Sequence, residues 1–199
     1  MRPDPDASYE RALAAPLMSQ REEAVLSAQI GRPSRAPSAT VHRCVFGLPT
    51  VARVAPRLQD GTPFPTVFWL SCPVLSARVG TLEGSGAMAE ITERLEADPA
   101  FQAQHEAAQD RYRALRDELG GGQKLPGDPY AGGGPRHVKC LHVHVGHTLA
   151  TNDGPVGAWA LDAILPAPCS GPCVTEEQVD VWQARLEAGD PGQPTRRRG

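Results

Sequence analysis

Apolar positions recur along the chain in distinct rhythms. Between residues 17 and 30, Val25, Leu26 and Ile30 fall on one side of a helix; Ser19 stands as a candidate N-cap, Glu22 completes a capping box, and Gly31 ends the element. Residues 40–46 and 50–55 are short runs rich in β-branched side chains joined by Gly47-Leu48-Pro49, the pattern of a hairpin. Residues 66–71 form a continuous apolar run of strand length, which predicts a third strand, central in the sheet and buried on both faces.

The rhythm then turns helical. Pro73 suits the first turn of a helix, where its missing N–H has no partner to lose, so Cys72 is a candidate N-cap and a short helix follows over 74–83. Met88, Ile91 and Leu95 recur at helical spacing, Asp98-Pro99 makes a break, and 101–119 carries Tyr112, Leu115 and Leu119 on a second helix. Gly120 to Gly122 stop it. The loop over 124–135 is rich in glycine but lacks the preceding strand that a nucleotide-binding fingerprint needs. Residues 136–150 are predicted helical despite their valines, 156–165 likewise, and 175–186 form a last helix with a Thr175/Gln178 capping box. The expected fold class is α+β, a small, mainly antiparallel sheet of about three strands packed against several helices. A flexible N-terminal segment over 1–16, a single globular domain over 17–187 and a disordered basic tail over 188–199 complete the expected organisation.

Composition narrows the function classes. With 20 basic against 23 acidic residues, the net charge of -3 provides no global positive field, and nucleic-acid binding is not expected. The N-terminus is polar, and no stretch approaches the roughly 18 apolar residues of a membrane span, so no membrane insertion and a cytoplasmic location are expected. Five cysteines, an odd count in a reducing compartment, argue against a disulfide framework.

The chemically suggestive segment is Cys140-Leu-His142-Val-His144-Val-Gly-His147. On a helix, the 100° step per residue gathers Cys140, His144 and His147 within an arc of about 60°; on a strand, Cys140, His142 and His144 share a face. The helix supplies two ligands comfortably and the strand a workable ligand edge, and a zinc or iron-sulfur centre would need one or two others from Cys72, Cys44, Cys169 or Cys173. The competing outcome is structural: free cysteines are commonly buried, and histidines on helices commonly hydrogen-bond to backbone. Cys72 carries a separate expectation, because a helix N-terminus favours the thiolate, and a nucleophile there would take His142 or His147 as its base. Arg43, Arg53, Arg57, Arg78 and Arg136 are scattered near the expected sheet and could hold a small anionic ligand.

The run Gly61-Thr-Pro-Phe-Pro-Thr-Val-Phe-Trp-Leu-Ser-Cys-Pro73, the later Leu82-Glu83 with Gly86, and Val138-Lys-Cys-Leu-His-Val-His-Val-Gly-His147 together resemble a bacterial family known as domain of unknown function 501 (DUF501), over about 26–174. The Pro-Cys-Val around Cys173 agrees with it. The resemblance implies no assigned activity. Its members are typical of actinobacteria, and their gene neighbourhoods imply a link to cell division or envelope growth. The family pattern matches Cys72, Cys140, His142 and His147, whereas the position of His144 is often apolar there. Three readings follow: a metal-binding protein with Cys72, Cys140, His142 and His147 as leading ligands and His144, Cys44 and Cys173 behind them; an enzyme using Cys72 or His142 on a small anionic substrate; and a non-catalytic interaction protein.

Overall fold

The computed structural model describes residues 5–189. Its elements run α1 (Pro5–Ala14), α2 (Gln20–Ile30), β1 (Ser38–Arg43), β2 (Pro49–Val54), β3 (Phe68–Leu70), α3 (Pro73–Gly84), α4 (Ala87–Ala97), α5 (Pro99–Leu119), β4 (Gly133–Gly134), β5 (His137–Val138), α6 (Leu141–Thr151), α7 (Pro155–Ile164) and α8 (Glu176–Glu187). The three longer strands form an antiparallel meander in the order β1-β2-β3, and β4 pairs with β5 as a separate ribbon, so the fold is α+β. The expected basic tail lies, from Asp190 onward, outside the described residues.

Local chemistry accounts for most element ends. Ser19 and Glu22 form the capping box of α2 and Gly31 closes it in the left-handed region, while Thr175 and Gln178 do the same at the start of α8. Asp98 accepts hydrogen bonds from Ala100 and Phe101 at the start of α5, with Pro99 in its first turn. The hairpin register pairs Ser38 with Val54 and Thr40 with Ala52, then shifts so that His42 faces Val51 and Val41 is bulged out.

The sheet is covered on both faces. Val51, Phe68 and Leu70 point into the main core with Ile91, Tyr112, Leu141 and Val145, whereas Ala52, Val54 and Trp69 point the other way, towards Leu26 and Ile30 of α2. The result is three layers, with α2 and α8 packed together on one side and α6 with its neighbours on the other.

Two expectations are corrected here. β3 is an edge strand and β2 is central. An apolar run cannot tell the two apart when helices cover both faces, and α6 also approaches the outer edge of β3: a Cβ on Gly146 would lie 2.8 Å from the carbonyl oxygen of Phe68. The helix predicted over 136–150 begins only at Leu141, because the N–H groups of Lys139 and Cys140 both bond the Gly132 carbonyl, and Val138 pairs with Gly133. Within the expected N-terminal segment, α1 buries Tyr9 and Ala12, and the guanidinium of Arg53 caps its C-terminus, donating to the carbonyls of Leu13 (3.0 Å) and Ala15 (2.8 Å).

Candidate metal centre

Two helix ends meet beside the sheet: the C-terminal turn of α3, which carries Glu83, and the N-terminus of α6, where Cys140 is the N-cap and His142 sits in the first turn. Glu83 stands where the helix dipole of α3 disfavours a carboxylate. Its Oε1 is compensated across space, accepting a hydrogen bond from the backbone N–H of Leu141 at 2.6 Å, at the positive end of α6. The same oxygen lies 3.2 Å from His142 Nδ1.

One ligating atom each from Glu83, Cys140 and His142 lie within 4.8 Å of one another, and all three residues are half-buried. His142 Nε2 is 3.0 Å from the carbonyl oxygen of Ser76, a group that only accepts, so that nitrogen carries the proton and Nδ1 faces Glu83. Cys140, and after it Glu83, hold the imidazole up to about 9 against the opposing pull of partial burial. At neutral pH the metal-free ring is therefore held as a cation beside Cys140 and Glu83. Cys140 and His142 also line a cleft of about 560 Å³ between the ends of α2, β3, α3 and α6.

The other residues singled out from the sequence lie elsewhere, and among the described residues none joins a second group of this kind. Cys72 does occupy the N-cap position of α3, without a side-chain capping hydrogen bond, but it belongs to the main core, and burial pushes its thiol up despite the N–H groups of Leu75 and Val74, which reverses the expected activation. Cys44 is in the hairpin turn. Cys173 packs between α2 and α8, its Sγ 3.5 Å from Gln29 Nε2, and Cys169 is exposed.

His144 and His147 point inward. His144 Nε2 lies 3.3 Å from the Gly132 carbonyl oxygen, and its ring centroid is 5.3 Å from that of His105. Burial, reinforced by the neighbouring histidines, pushes it down to about 3. His147 stacks on Phe68, and its Nε2 meets the hydroxyl of Tyr9, which donates to Asp153 at 3.0 Å; Arg111 grips the same carboxylate through two hydrogen bonds. Burial pushes His147 down to about 4. Of the arginines that could meet an anion, Arg43 is held by Glu22 and Arg53 by the end of α1.

Glu83 was not among the ligands expected from the sequence. The signal for it was an acidic residue in the last turn of a helix, where an internal partner is needed to offset the dipole.

The family model described as "Protein of unknown function (DUF501)" matches residues 40–162, a span that includes all three members of the trio. No curated protein and no solved structure matches the chain.

Proposed function

We propose that this chain, which belongs to the DUF501 family, is a metal-binding protein whose centre is formed by Glu83, Cys140 and His142. The observation that carries this reading is the convergence of a carboxylate, a thiol and an imidazole from two helix ends, with the remaining ring nitrogen of His142 tied to the Ser76 carbonyl. Metal-ligating histidines commonly donate their second N–H to a carbonyl or carboxylate, which fixes the tautomer and aims the other nitrogen at the ion. With zinc bond lengths of about 2.0–2.3 Å, tetrahedral ligand atoms stand roughly 3.3–3.8 Å apart, so the His142–Glu83 separation of 3.2 Å needs only a small opening. The ion would displace the protons of Nδ1 and the thiol.

The donor set suits zinc better than an iron-sulfur centre, which takes several thiolates where this trio holds one. Three protein ligands, two of which (Cys140 and His142) line a cleft, leave a fourth position for water or a ligand, the arrangement of reactive zinc sites.

Elemental analysis of protein purified without a metal-affinity tag tests the reading. Close to one equivalent of zinc is expected, with Cys140→Ser and Glu83→Gln each weakening zinc affinity by about tenfold or more. Less than about a tenth of an equivalent, with no Cys140-dependent uptake of added zinc, sinks it.

A second reading uses the same trio without metal, with Cys140 as a nucleophile open to the cleft and His142 as its acid-base partner. It is the weaker of the two. In a relay the imidazole bridges thiol and carboxylate through its two nitrogens, and here Ser76 occupies one of them. Rapid alkylation of Cys140 by iodoacetamide that zinc does not slow would favour it.

A further inference from the structure

The loop over residues 31–37, between α2 and β1, sets two arginines beside a pair of stacked rings. Trp69 of β3 stacks on Phe64, with centroids 5.6 Å apart and planes 23° from parallel, and the Arg32 Cζ lies 5.3 Å from the centre of the Trp69 ring. Arg32, Ser34 and Arg35 line a pocket of about 60 Å³ whose other walls are apolar, Leu26, Leu58, Phe64 and Trp69 among them. No Asp or Glu is among the described residues that line it. The loop is pinned in place: Ser34 Oγ donates to the Ala36 carbonyl at 2.8 Å, and the N–H groups of Ala55 and Gln59 bond the carbonyls of Pro37 (3.2 Å) and Arg35 (3.1 Å).

The charges at this pocket do not cancel. Among the described residues the half-buried Arg32 meets no carboxylate; its Nη1 donates to the carbonyl of Pro33 at 3.0 Å. Arg35 meets Asp60 at 3.2 Å in an exposed pair that water screens. Burial, and after it the charge of Arg35, pull the Arg32 guanidinium below its ordinary range. Two like charges are thus held near each other with one carboxylate for both. An anion in the pocket would supply the missing counter-charge, and guanidinium forks match the paired oxygens of a carboxylate or phosphate. His142, the cation of the larger cleft, is already engaged on both sides, its Nδ1 facing Glu83 and its Nε2 the Ser76 carbonyl.

The walls select what carries the anion. Ile30 and Trp69 line this pocket and the larger cleft alike, so a body too large for about 60 Å³ has apolar surface to lie against while its head group meets the arginines. We propose that Arg32 and Arg35 form a site for the oxyanion of a small amphipathic molecule, a carboxylate or phosphate group carried on an apolar body that packs against Ile30 and Trp69. This site stands apart from the metal reading and does not depend on it.

Isothermal titration calorimetry on the EDTA-treated full chain at low ionic strength tests it with benzoate, phenyl phosphate, benzamide, acetate and inorganic phosphate. Saturable binding of benzoate or phenyl phosphate is expected, and the tighter of the two assigns the head group. Benzamide, which keeps the body and loses the charge, should bind at least about tenfold more weakly, as should acetate and inorganic phosphate, which keep the charge and lose the body. Arg32→Gln and Arg35→Gln should each weaken the tighter anion by about tenfold, and Arg32→Lys, which keeps the charge without the fork, should restore part of the loss. The Arg35 side chain is 60% exposed, so Arg35→Gln should keep the circular dichroism spectrum and thermal midpoint of the parent, which separates lost binding from lost fold. The proposal is overturned if neither aromatic anion binds, if benzamide, acetate or inorganic phosphate binds as tightly as they do, or if either glutamine variant binds them as the parent does.

Discussion

Helix α6 carries three histidines within six residues, and they live in opposite worlds. His142, at the helix start, looks out across the cleft, paired with Glu83 and Cys140 and held as a cation up to about 9. His144 and His147 look into the core and are held neutral down to about 3 and about 4. The residue type and the element are the same; what differs is the neighbour. A half-buried ring beside Cys140 and Glu83 gains from carrying charge, whereas a fully buried ring loses by it, even with Asp153 near His147. Potential ligands in a Cys/His-rich segment thus divide into one half-buried cluster and a set of core side chains, and only their surroundings assign them.

The seating of α6 is the largest lever on this division. Gly157 of α7 allows α6 to lie so close that a Cβ there would stand 2.1 Å from the His144 carbonyl oxygen and 2.2 Å from Thr148 Oγ1. Gly157→Ala should therefore destabilise the protein by about 3 kcal/mol or more, read by urea denaturation. A change under about 1 kcal/mol would mean that the two helices are not held at this distance.

The next lever is pH. The folded-state value of His147, about 4, lies below the ordinary 6.5, so the unfolded chain binds more protons between those limits. Stability is full above pH 6.5 and falls as the pH drops towards 4. Between pH 6.5 and 5 the contribution of His147 amounts to about 2 kcal/mol, at 1.36 kcal/mol per unit. His147→Gln should lose correspondingly less stability over that interval than the parent protein. Parallel pH profiles for the two would show that this ring is not held neutral by the core.

The smallest effect is expected on the other side of the helix. In metal-free protein, His142→Ala should change stability at neutral pH by less than about 1 kcal/mol, since a partly solvated ion pair contributes little. Zinc uptake should fall sharply in the same variant. A large loss of stability with zinc uptake intact would reverse the assignment of the two faces.

Much of the fold was legible in the sequence because its signals are local. Both capping boxes, the prolines at the starts of α3 and α5, and the hairpin followed from residues within a few positions of one another. The failures have a common physical origin. The start of α6 depends on Gly132 and Glu83, which take up the N–H groups of residues 139–141 from outside the helix. The edge position of β3 depends on which element covers it. The burial of Tyr9 depends on Asp153 and His147, far along the chain.

By itself, then, the sequence determined the class of fold, most of the helices, and the segment in which to look for chemistry, since these rest on periodicity and capping over a turn or two of chain. The tertiary structure alone decided which of Cys140, His142, His144 and His147 come together outside the core, and that Glu83 joins Cys140 and His142 from 58 positions before Leu141. A ligand set is a statement about distances of a few ångströms between side chains, and spacing along a chain carries that information only within one element. Across elements it is set by packing, here by two helix ends brought together beside an edge strand.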